Sequence, residues 1–84
     1  MSKATKYIRE AAARCKASGI TVDCDSAFST VAIDAPGQDG IFMQGDEAGA
    51  FINEVAALCR RYPSLEPDIA ELALAEPYAE CIFN

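Results

Sequence analysis

The chain contains no histidine and no tryptophan. Without imidazole it lacks the one side chain that titrates unaided near neutral pH, and with it the commonest general base and nitrogen ligand for zinc. No GxSxG elbow occurs, and no glycine-rich loop runs into Lys-Ser or Lys-Thr, so neither a serine nucleophile nor a phosphate cradle is indicated. Gly37, Gly40 and Gly45 fall in a turn and at strand ends, where backbone geometry accounts for them. No catalytic residue, cofactor or metal site is expected, and the chain reads as a non-enzyme. No apolar run approaches the length of a membrane span, and the basic N-terminus leads into an amphipathic segment rather than a signal-peptide core. No membrane association is expected, and the location reads as cytoplasmic. Lysine and arginine are missing altogether from residues 18–58.

What is present suffices for one domain spanning 1–84. With 51% of its 84 residues apolar, the chain lies outside the low-hydrophobicity, high-charge region of disorder. Alanine supplies 16 of those residues and buries little area per side chain. Against about 1.5 kcal/mol of ordering entropy per residue, such a core is thin, and a partner or second copy would support it.

Periodicity divides the chain into six elements. Residues 2–18 carry a helical stripe of Tyr7, Ile8, Ala11, Ala12 and Cys15, with Ser2 or Thr5 as N-cap and Gly19 placed for a left-handed close. Alternation follows: Ile20, Val22 and Cys24 point one way, Thr21 and Asp23 the other. Across a turn at Asp25-Ser26, residues 28–35 set Val31, Ile33 and Ala35 against Phe28, Thr30, Ala32 and Asp34. Pro36-Gly37-Gln38-Asp39-Gly40 makes a second turn into a strand over residues 41–44. Asp46 is placed to cap the next helix, whose stripe is Phe51, Val55, Leu58 and Tyr62, with Arg60 and Arg61 at its carbonyl end and Pro63 as its stop. Pro67 opens a short last helix ending before Pro77, and residues 78–83 read as a further turn packed on the core through Tyr78, Cys81 and Ile82. The fold class is therefore α+β: a three-stranded antiparallel sheet with helices on one face, in the order α-β-β-β-α-α.

Cys15, Cys24, Cys59 and Cys81 contain no CxxC and no closely spaced ligand pair. Cys15, Cys59 and Cys81 read as small buried hydrophobes, reduced and metal-free. Asp23 and Asp25 flank Cys24 and share a strand face about 7 Å apart, but a chain this small offers no cleft to raise either pKa for acid–base work. The oxygens of Asp34, Gln38, Asp39, Asp46 and Glu47 do not follow the spacing of a calcium loop, and Pro36 interrupts them.

Charge is the unusual feature. Residues 1–16 hold five cations and one acid, and residues 17–84 hold two cations and twelve acids. The cation-free interval centres a negative potential on Asp23, Asp25, Asp34, Asp39, Asp46 and Glu47, with Glu54 farther along the second long helix. The αβββα order resembles that of the double-stranded-RNA-binding domain. That family presents lysines where this chain has Gly45-Asp46-Glu47-Ala48, which would repel phosphate, so no direct nucleic-acid contact is expected.

In size, acidity and lack of catalytic motifs the whole chain resembles the small accessory proteins of phages and mobile elements, anti-CRISPR inhibitors among them. The resemblance implies a protein-binding inhibitor of the host bacterial cytoplasm, a mimic of nucleic acid whose six carboxylates occupy a basic site on a protein or nucleoprotein effector complex. Two alternatives stand beside it: a structural or regulatory homodimer, which a free sheet edge and a thin core would suit, and an antitoxin-like binder of a toxin.

Overall fold

The computed structural model describes residues 3–83, with side chains described to residue 81. Its elements are α1 (Lys3–Ala17), β1 (Thr21–Asp25), β2 (Thr30–Asp34), β3 (Ile41–Gln44), α2 (Asp46–Arg61) and α3 (Pro67–Phe83). The strands form an antiparallel meander in the order β1-β2-β3. Val22, Cys24, Val31, Ile33, Ile41 and Met43 line its inner face, with Val31, Ile33 and Met43 fully enclosed. α3 covers β1 and β2, α2 covers β2 and β3, and α1 packs against the flank of α3.

α1 closes as its glycine predicts. Gly19 takes φ +78°; its N–H donates to the Lys16 carbonyl and that of Ile20 to the Cys15 carbonyl, both at 3.0 Å. This paired closure turns Ile20 into the core beside Cys15. The buried line of α1 is Thr5, Ala12 and Cys15, flanked by half-buried Ile8 and Ala11. Tyr7, expected in the stripe, is 66% exposed. α1 docks on one helix rather than on a sheet, so only a narrow line is covered, and small side chains on it let α3 come close. Thr5 is therefore an interior helical residue and not the N-cap; Ser2, the other candidate, lies outside the described residues.

Both turns depart from plain strand continuation. Phe28, expected in β2, lies in the β1–β2 turn and is 78% exposed. The Asp25 carboxylate accepts the N–H groups of Ala27 (3.0 Å) and Phe28 (3.3 Å), an Asx turn that bends the chain before β2 can start. Ser29 then adopts φ +51°. The second turn has Pro36 followed by Gly37 at φ +70°, with the Gln38 N–H on the Ala35 carbonyl, the residue pattern of a type II turn.

Asp46 does not cap α2. Gly45, at φ +67°, is the N-cap, and among the described residues there is no side-chain cap hydrogen bond. The Gly45 N–H is held by the Ser29 carbonyl at 3.0 Å, so the chain passes from strand to helix in one residue and Asp46 is already helical. Asp46 and Glu47 still favour the positive end of the dipole.

The largest correction is α3, one helix through Pro77 rather than a short helix and a separate turn. Proline brings no N–H, so the Ala73 carbonyl loses its usual partner. Packing beyond Pro77 offsets that loss: Ala79 is buried, and Tyr78 sets its ring edge-on to Phe51, centroids 6.0 Å apart. Cys81 is exposed and not in the core, because it lies two residues, about 200°, around the helix from Ala79. Cys15 is buried as expected, and Cys59 is half-buried at the core margin. The Ile82 side chain falls outside the described residues.

Candidate functional site

The sheet has one covered face and one open face. Alternation places Thr21, Asp23, Asp25, Thr30, Ala32, Asp34, Phe42 and Gln44 on the open side, and the register sets them in rows. Asp23 stands opposite Ala32, which stands opposite Phe42; Thr21 faces Asp34; Asp25, Thr30 and Gln44 form the third row. Phe42 is 62% exposed. The centre of this face is thus apolar, Ala32 beside Phe42, with Asp23 and Asp34 exposed at its margin.

The six carboxylates expected to act together divide into three groups. Asp23, Asp25 and Asp34 share the open face, although one oxygen of Asp25 is already engaged by the turn. Asp39 is exposed in the β2–β3 turn. Asp46 and Glu47 are exposed on the first turn of α2, at the other end of β3, about 14 Å away at strand rise. A single partner footprint centred on the open face takes in the first group directly and the others only at its ends.

Two contributors escaped the sequence reading. Phe42 was legible by alternation, since Ile41 and Met43 point inward and the residue between them must point out. Glu71 was not: it lies on α3 and meets β1 only through tertiary packing. Burial pushes the pKa of its carboxylate up, the neighbouring Cys24 thiol opposes that rise, and the charges of Asp68 and Asp23 add to it. Burial, then the Glu71 charge, push the Cys24 thiol up to about 12, which makes it a poor nucleophile.

The cationic pole is partly spent on structure. Arg14 holds both carboxylate oxygens of Glu76, Nε to Oε2 at 2.7 Å and Nη2 to Oε1 at 3.1 Å, a bidentate clamp between α1 and α3. Its hydrogen bond to Arg14 holds the Glu76 carboxyl below its ordinary value. Arg9 Nη2 donates to the Ser64 carbonyl at 3.0 Å, and among the described residues its buried Nε finds no acceptor. Lys3, Lys6 and Lys16 remain exposed. Among the described residues no three acidic or cysteine side chains gather as a metal site, and no helix is long and apolar enough to cross a membrane.

Set against protein-family models, curated proteins and solved structures, the chain matches none.

Proposed function

We propose that this protein is a non-catalytic inhibitor that lays the open face of its sheet on a basic surface of a target protein, in the manner of a nucleic-acid mimic. The observation that carries the reading is the uncovered face itself, an exposed Phe42 beside Ala32 with Asp23 and Asp34 at its margin. An aromatic anchor ringed by polar groups is the usual anatomy of a binding hot spot. Carboxylates fixed on strands lose little freedom on docking, and a potential of one sign speeds encounter with a basic partner. A basic channel built for nucleic acid fits that description, which agrees with the anti-CRISPR-like character of the composition.

One feature favours a second reading, the homodimer. β3 is an edge strand whose four residues, Ile41–Gln44, carry no charge, whereas β1, the other edge, carries Asp23 and Asp25. Charge is a common guard against edge pairing, and β3 lacks it.

Affinity capture from a bacterial lysate separates the two. Wild type and an Asp23→Lys/Asp34→Lys variant serve as baits, with size measurement of each alone. A basic protein retained by wild type and lost by the variant supports the inhibitor; a concentration-dependent dimer with no other retained protein supports the second reading.

A further inference from the structure

The helical layer is wider than the sheet it covers. The Cα extents are 35 × 28 × 15 Å, and a 15 Å short axis holds one sheet and one layer of helices, at a layer spacing of about 10 Å. α3 lies between α1 and α2 in that layer. Three helices at about 9 Å spacing span about 18 Å between outer axes, whereas three strands span about 10 Å. α2 sits over β2 and β3, and α3 over β1 and β2, so the excess falls beyond β1. There α1 forms a ledge that no strand of the described residues covers.

A groove of about 400 Å³ runs along this step, between the start of β1 and the first turns of α3. Val22, Ile69 and Leu72 give it apolar walls, Asp68 and Glu71 give it negative charge, and Lys16 stands on its rim. Asp23, next along the strand, adds to the field at Glu71. Two carboxylates against one ammonium leave the groove negative. Among the described residues β1 pairs only with β2, and in an antiparallel edge strand every second residue turns its N–H and C=O outward, here over the ledge.

We infer that this step is a binding site for an extended, lysine- or arginine-bearing peptide segment, which adds to β1 as a fourth strand and sets a cation against Asp68 and Glu71. Strand addition supplies main-chain hydrogen bonds at no cost in specificity, while pockets for alternate side chains do the selecting. The apolar walls take the inward side chains of such a strand and the carboxylates take its cation. A second copy docked by the same edge is disfavoured, because two-fold pairing of β1 would bring Asp23, Asp25 and Glu71 of both copies together. The inference goes beyond the open-face reading and does not depend on it: the groove lies on the helix side of the sheet, away from Phe42.

The test is an NMR titration of the whole protein with a capped octapeptide of alternating threonine and valine in which one central valine is replaced by arginine, so that valine and arginine share the face turned to the groove. Its controls are the analogue with glutamate in place of that arginine and the arginine peptide N-methylated at alternate peptide groups. Expected are shifts at Thr21–Asp25 and Asp68–Leu72, slower hydrogen exchange of alternate β1 amides, and loss of both effects with either control. Glu71→Gln weakens the arginine peptide about fivefold, the worth of one good charge pair, and Phe42→Ala leaves it unchanged. The inference is overturned by absence of binding up to about 1 mM, by equal binding of either control, or by shifts confined to Ala32, Asp34 and Phe42, which would leave the open-face reading standing alone. Protection of β1 that grows with protein concentration without peptide also overturns it, since the occupant is then a second copy.

Discussion

The Cys24 thiol on β1 and the Glu71 carboxylate on α3 lie close enough to perturb one another's titration, a juxtaposition across a sequence separation that no local pattern reveals. Burial and that neighbouring charge keep the thiol protonated, whereas Cys81 stands in solvent. Alkylation with iodoacetamide near pH 8, followed by peptide mass spectrometry, is expected to label Cys81 first and Cys15 and Cys24 last. Equal rates at all four positions would contradict the placement of α3.

Glu71 and Glu76 make opposite contributions to the pH dependence of stability. The folded pKa of Glu71 is raised, so its contribution is complete below its ordinary value of 4.5 and is lost as pH rises through the raised one. Glu71→Gln removes that loss, and its stability relative to wild type should rise from acid to neutral pH. The folded pKa of Glu76 is lowered by Arg14, so its contribution is present above 4.5 and lost as pH falls through the lowered value. Arg14→Gln should therefore differ from wild type at neutral pH and converge with it in acid. Urea unfolding at about pH 3, 5 and 7 reads both trends; parallel curves for all three proteins would contradict them.

Gly19 and Gly37 separate backbone conformation from contact. Both have positive φ, but a Cβ at Gly19 would lie 2.8 Å from Pro36 Cγ, whereas at Gly37 it meets nothing within 4 Å. Gly37→Ala should cost about 1 kcal/mol, the strain of a left-handed residue, and Gly19→Ala about 2–3 kcal/mol because Pro36 must also move. Denaturant unfolding gives both values, and equal costs would remove the Gly19–Pro36 contact from the account.

Phe51 and Phe42 are a matched pair in type and opposite in setting. Phe51 is 5% exposed and packs against Tyr78; Phe51→Ala should cost about 3–5 kcal/mol. Phe42 is 62% exposed on the open face, and Phe42→Ala should stay within about 0.5 kcal/mol. A large stability loss at Phe42 would mean that the open face is covered by another copy in solution.

The parts of this fold that can be read from sequence are those in which one element has one buried side. α2 shows a clean stripe through Phe51 and Val55 because it lies on a sheet, and β2 alternates because only one of its faces is covered. α3 hides its length for the opposite reason. It touches α1, α2 and the sheet, so buried Ala70, Ala75 and Ala79 and half-buried Ile69, Leu72 and Leu74 lie all around it and no stripe survives. With no period to carry the reading past Pro77, the proline reads as a stop. At the candidate site, Asp23 and Asp34 were legible by alternation, while the separation of Asp39 from Asp46 and Glu47 depends on strand length and register, and Glu71 on tertiary packing alone.

The open face as a docking surface is tested most directly by association kinetics. Wild type and the Asp23→Lys/Asp34→Lys variant are compared, each shown folded by circular dichroism, against the basic protein that wild type retains, at two ionic strengths. The account predicts slower association for the variant and a flatter dependence on salt, because the steering charge has been reversed on that face. Equal association rates and equal salt slopes would contradict it and leave these carboxylates as a solvated surface.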